Sequence, residues 1–311
     1  MDGYRRAFTL LLSAGLVCLS GCPWMSRMLW RPSPPIPHVL SPSPTLEEVA
    51  QVVNGNSSQI QSLLATGATL SGPGFPRLQT NLAFQRPKRF RLQAELLTST
   101  ELDVGSNDDL FWFWVKRNEP PAVYYCRREQ FAMSPARQMI PIEPDWLIEA
   151  LGVVEFDPAL PHEGPIALPD GRLEVRTFRE TPAGPVTKST ILHAQSGWVL
   201  EQRFYDAANR LVARAVASRH QRDPLTGVTL PGVVDISCPL AQFSVRIDLG
   251  KVEVNRLSGD PGELWAMPTY HGAPLVDVCD PSLPFPTSMT PPAAVGVRPR
   301  PPGRAWQRPM Y

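Results

Sequence analysis

Leu110-Phe111-Trp112-Phe113-Trp114-Val115 is apolar at every position. A strand with water on one side alternates apolar and polar residues, so this stretch reads as a strand covered on both faces. The chain around it keeps a period of two. Upstream, strands are expected at residues 60–70, 77–85 and 90–97. Residues 102–105 then lead into a turn at Ser106-Asn107-Asp108-Asp109. Asn and Asp suit that turn because they tolerate left-handed backbone and bond locally. Downstream, strands are expected at 123–127, 172–179, 186–194, 198–205, 210–219 and 228–236, the last interrupted by Pro231. Val245, Ile247 and Leu249 then alternate with Ser244, Arg246 and Asp248, and Val252 and Val254 follow Gly250. Short turns such as Pro169-Asp170-Gly171 and Gln195-Ser196-Gly197 join neighbours, which makes a mostly antiparallel meander.

Two segments break this rhythm. Thr45-Leu46-Glu47-Glu48 is a capping box, and Leu46, Val49, Ala50 and Val53 follow at helical spacing. Asn54-Gly55-Asn56 is expected to stop that helix. Further on, Asp145 can cap a short helix with Trp146, Leu147, Ala150 and Leu151 as its apolar stripe and Gly152 as its end. A short apolar helix inside a β protein is suited to covering an opening.

The N-terminus has Arg5 and Arg6, then an apolar run through Phe8, Leu10, Leu11, Leu12, Leu16 and Val17. That is a secretory signal and is too short to span a bilayer comfortably. It exits through Leu19-Ser20-Gly21-Cys22. This resembles the lipobox of bacterial lipoproteins. The resemblance implies that residues 1–21 are a signal peptide, that Cys22 is the lipidated residue, and that the acylated Cys22 holds the body on a membrane. Pro23 is not the aspartate associated with retention at the inner membrane, which favours the outer membrane, on its periplasmic face. Residues 22–44, with Pro32, Pro34, Pro35, Pro37, Pro42 and Pro44, read as a semi-rigid tether. Residues 45–280 make the body. Residues 281–311, with Arg298, Arg300, Arg304 and Arg308 among prolines, read as a disordered tail that could dock an envelope partner.

Composition narrows the function. A net charge of +1 supplies no basic field for nucleic acid. Three cysteines lie in the body, Cys126, Cys238 and Cys279; an exported protein permits one disulfide, and the spacing leaves its pairing open. No Gly-x-Ser-x-Gly elbow, phosphate-binding glycine loop or metal-like histidine spacing occurs, so neither an enzyme, a metal nor a cofactor is expected.

Three stretches taken together carry a second resemblance: Arg86-Pro87-Lys88-Arg89-Phe90-Arg91-Leu92, the Leu102-Asp103-Val104-Gly105-Ser106-Asn107-Asp108 turn with its Phe-Trp-Phe-Trp exit, and Leu230-Pro231-Gly232-Val233-Val234-Asp235-Ile236. Their order and spacing resemble the LolA/LolB-like lipoprotein-carrier superfamily. The resemblance implies a strongly curved antiparallel sheet, an unclosed β-barrel, capped by helices, with an apolar concave face that accepts acyl chains of lipids or lipoproteins. Phe111, Trp112, Phe113, Trp114, Trp146, Leu147 and Leu151 are the candidate acyl-cavity residues, because aromatics supply large area at little rotamer entropy. The function expected is binding of acyl chains and assistance in lipoprotein sorting or insertion. The competing expectation is a scaffold or sensor that uses the same fold to bind a protein partner.

Overall fold

The computed structural model describes residues 36–131, 144–181, 184–257, 259 and 262–280. Strands dominate the part from His38 onward. In chain order they are β1 (Ser62–Gly72), β2 (Phe75–Gln85), β3 (Arg89–Leu96), β4 (Ser99–Ser106), β5 (Leu110–Val115) and β6 (Val123–Arg127). Next come β7 (His162–Leu168), β8 (Arg172–Thr181), β9 (Gly184–His193), β10 (Val199–Tyr205) and β11 (Leu211–Ser218). The series ends with β12 (Gln221–Arg222), β13 (Thr229–Leu230), β14 (Val233–Cys238), β15 (Phe243–Asp248), β16 (Lys251–Val254) and β17 (Leu275–Asp277). The helices among the described residues are α1 (Leu46–Ser58), α2 (Arg128–Phe131) and α3 (Pro144–Ala150).

The sheet order is β17-β6-β5-β4-β3-β2-β1-β15-β14-β11-β10-β9-β8-β7, with β16 also on β1. Every pair is antiparallel except β17 on β6. The two ends of this order do not meet, so the sheet is an unclosed barrel. Its curvature follows from packing. Strands stand about 4.8 Å apart, so β4 and β10, seven places apart, would be about 34 Å apart if flat. Leu102 of β4 and Phe204 of β10 instead pack on one apolar cluster. The mainly β class and unclosed curved sheet expected from the sequence are present.

The apolar inner face is built by the period of two. Leu82, Leu92 and Val104 stand opposite one another across β2, β3 and β4. Ile236 and Val245 do the same across β14 and β15. Trp146, Ile148 and Leu151 of the α3 segment bury into that face. Each such side chain contributes about 1.5–3 kcal/mol on full burial. Gly152, at φ 102, ends the helix as expected.

Helix α1 covers a second cluster: Val49 and Val53 pack on Phe156, Leu173, Val175 and Leu192. Thr45 caps it, its hydroxyl accepting from the Glu48 amide at 3.1 Å. Glu48 does not reach back to the cap. Its carboxylate accepts from the Ser41 amide and hydroxyl, at 2.6 and 2.8 Å. The helix also runs past Asn54-Gly55-Asn56 to Ser58. Both asparagines make long-range bonds: Asn54 exchanges two hydrogen bonds with the Phe156 peptide, and Asn56 does so with Thr229. Contacts with the body begin before residue 45, since the Val39 and Leu40 amides donate to the Gln195 carbonyl.

Cys126 and Cys279 form a disulfide, with Cα atoms 5.5 Å apart, and Cys238 is free and buried. The bond holds β17 against β6. Residues 1–35 and 281–311, which include the expected signal peptide, Cys22 and the tail, lie outside the described residues.

Candidate functional site

The inner face is not apolar to the same depth throughout. Its strands end together at the turns 72–75, 96–99, 205–211 and 238–243, and there the apolar side chains emerge. Phe75, Leu96, Leu102, Val104, Phe204 and Val245 pack on the buried cluster yet stay part-exposed. Leu147 of α3 does the same. Beyond them, Leu97 is 91% exposed, Leu240 55% and Phe243 47%. Phe243 faces buried Cys238 across the β14–β15 pair. Burial pushes the Cys238 thiol up to about 12, so it acts as a small apolar residue and not as a nucleophile. This end is the mouth of the inner face.

Strand β5 divides the expected cavity set. Phe111 and Phe113 stand opposite Ser106 and Val104, on the inner side, but near the sheet edge. Phe111 meets Phe131 edge-on at 6.1 Å, and Phe113 stacks on Tyr124 at 5.0 Å. Trp112 and Trp114 project to the opposite, outer face. There they pack with Val123, Met267 and Tyr270, and the Trp114 and Tyr270 rings stack at 3.8 Å. Strand β5 is covered on both faces as expected, but each face has a different cover. Trp112 and Trp114 are therefore not part of the same surface as Trp146, Leu147 and Leu151, which share the inner face. Gly105 lies directly opposite Trp112, and a Cβ there would come within 2.4 Å of the indole. That glycine lets the ring lie flat on the sheet.

The outer face holds a buried polar centre that alternation alone did not single out. Asp103 is fully buried. Its carboxylate accepts from Arg91 at 2.8 Å, Gln93 at 3.0 Å, the Tyr270 hydroxyl at 2.7 Å and the Trp112 indole at 3.4 Å. Arg91 also donates to the Leu264 carbonyl at 3.0 Å. The tyrosine hydroxyl is pushed well above its ordinary range, first by burial and then by the Asp103 charge that it bonds. A charge buried this deeply is tolerable only when it is this fully bonded. The centre fixes residues 262–273 on the outer face, a structural role.

A second polar group lies on the inner face. Lys188 of β9 donates to the Glu149 carboxylate at 2.8 Å, and Gln202 of β10 donates to the Glu149 carbonyl at 2.9 Å. These bonds seat the C-terminal end of α3. Sequence reading missed them because Lys188 and Gln202 look like solvent positions in amphipathic strands; strand parity, which places them beside Phe204 and Ala215, was the signal. Among the described residues no group of three or more His, Cys, Asp or Glu could hold a metal, and no helix is long and apolar enough to cross a membrane.

No protein-family model matches the chain, and no curated protein matches it in sequence. Solved structures do. A putative outer membrane lipoprotein-sorting protein domain from Vibrio parahaemolyticus is similar at 10% identity and a TM-score of 0.49, over 71% of this chain and 97% of that one. A LolA superfamily protein from Nitrosomonas europaea is similar at 10% identity and 0.44, over 70% and 97%. A DUF1329 family protein from Desulfovibrio piger is similar at 13% identity and 0.44, over 69% and 95%.

Proposed function

We propose that this protein is an envelope lipoprotein whose inner face takes up acyl chains of lipids or lipoproteins and hands them on, assisting lipoprotein sorting or insertion. Acylated Cys22 would anchor it, facing the periplasm and on the outer membrane in preference to the inner. The observation that carries this reading is the part-exposed apolar lining at the mouth: Phe75, Leu96, Leu102, Val104, Phe204 and Val245, with Leu147 above them. An acyl chain in water costs about 0.8 kcal/mol per exposed methylene. A surface already apolar and partly open offsets much of that cost while leaving a route for release. Trp146 and Leu151 of the α3 segment are buried in the same cluster. Phe111 and Phe113 extend the lining towards the sheet edge, and Trp112 and Trp114 support the strand from behind. The part from His38 onward carries the site, the residues between Cys22 and it would space it from the membrane, and the 281–311 tail would meet an envelope partner.

The test is native mass spectrometry with lipid extraction on the full chain carrying Cys22→Ser, exported to a bacterial periplasm and purified without detergent. Co-purified fatty acid or phospholipid is expected. Leu102→Lys should remove it and weaken uptake of a fluorescent acyl probe at least tenfold, because the charge must be desolvated as the chain enters. An empty protein that takes up no probe would overturn the carrier reading in favour of a protein-binding scaffold.

A further inference from the structure

Within the apolar inner face, two buried side chains on neighbouring strands each carry a polar atom with no hydrogen-bond partner among the described residues. Thr190 of β9 stands directly opposite Gln202 of β10. Thr190 is 0% exposed and Gln202 2%. Gln202 spends its amide N–H on the Glu149 carbonyl, which leaves its Oε1 without a hydrogen-bond partner among the described residues. The Thr190 hydroxyl is likewise without one. On α3, three residues before Glu149, the Trp146 indole N–H is buried and unpartnered too. Leaving such a group unbonded costs about 1–3 kcal/mol, and proteins rarely tolerate several together. The neighbours are apolar: Phe204 is two residues along β10 from Gln202, and Ala215 stands across from it on β11.

We infer that Thr190 and Gln202 form a head-group subsite for an amide-linked acyl chain, with the amide N–H donating to Gln202 Oε1 and its carbonyl accepting from the Thr190 hydroxyl. This rests on the acyl-binding reading above and narrows its ligand. The donor pattern selects the class. Gln202 Oε1 is an acceptor, so a ligand must bring a hydrogen; an ester cannot. A free carboxylate would bring negative charge towards Gln202 Oε1 and the Glu149 carboxylate, whose cation, Lys188, is already engaged at 2.8 Å. A neutral amide matches both open atoms. The acyl tail then runs over Phe204 and Val245 to the mouth.

The test compares N-methylpalmitamide with methyl palmitate, which has the same length and shape but lacks the N–H. Each displaces a fluorescent acyl probe from the full Cys22→Ser chain. The amide is expected to bind about fivefold to tenfold more tightly, as for one added hydrogen bond to a buried neutral group. Gln202→Leu should erase the difference between amide and ester. Because Gln202 also seats α3, Thr190→Val provides the second variant, with a reduced amide preference and a melting temperature no lower than that of the native chain. Equal binding of amide and ester by the native chain would overturn the subsite while leaving acyl binding intact. Binding of neither would overturn the acyl reading itself. A further arm sets an N-palmitoyl peptide against an N-acyl lipid. Preference for either names the source of the amide, and displacement by neither counts against the subsite.

Discussion

His220 shows how one side chain ties stability to pH. Its ring stacks on Trp198 at 5.1 Å, and its Nε2 bonds the Val199 carbonyl at 2.9 Å. Burial lowers its pKa; the Val199 carbonyl opposes that, and the charge of His193 adds to it. The unfolded chain titrates near 6.5. Folding therefore favours the neutral ring. The stability this gives is fully present above about 6.5 and is lost as the pH falls from there through the lowered folded value. His220→Phe keeps the stacking and removes the proton. Its melting temperature should fall less than that of the native chain between pH 7.5 and 5.5, and an equal fall would assign the slope elsewhere. Trp112 and Phe113 make a related point about single residues. They are adjacent and equally apolar, yet one covers the outer face and the other the inner. Composition identifies both as buried. Which cover each meets depends on residues 262–273, more than a hundred positions away.

At the scale of elements, most strands were legible because a half-covered sheet imprints a period of two. Strand β6 has the expected bounds, and most others are close to them. Strand β7 was not read, since it lies at the sheet edge, exposes most of its side chains and contains Pro165. Strand β17 is three residues long and held largely by its partner. The end of α1 was misplaced because Asn54 and Asn56, ordinarily stop signals, are used in long-range bonds. In the candidate site, Trp146, Leu147 and Leu151 were legible from their stripe. The mouth was not, because an exposed leucine such as Leu97 carries no pattern. Pairing of Cys126 with Cys279 needed the fold, since 153 positions separate them. Replacing both with serine should cost about 2–5 kcal/mol, by freeing a long loop in the unfolded chain. Amide exchange should accelerate at Val123 and Val278, whose bonds to the Pro274 and Tyr125 carbonyls join the two segments. Unchanged melting would show that the backbone bonds between the two segments hold them without the disulfide.

For the whole molecule, the proposed exchange with a membrane would occur at the mouth. Leu97 sits at the tip of the β3–β4 turn with φ 58, Leu240 stands on the β14–β15 connection, and Phe243 opens β15. Full burial of one such side chain is worth about 1.5–3 kcal/mol. Leu97→Glu should therefore lower co-sedimentation of the Cys22→Ser chain with phospholipid vesicles about tenfold or more, with no change in melting temperature. Undiminished co-sedimentation would remove the turn from membrane contact.

Strand β1 lies between β2 on one side and β15 and β16 on the other. As the chain emerges residue by residue, β1 to β6 can assemble in order. The second edge of β1 has to wait until residues 243–254 arrive, some 180 positions later. Through that interval the nascent half-sheet has an open edge and an uncovered apolar face, which exposes it to wrong pairing with other chains until β15 and β16 arrive.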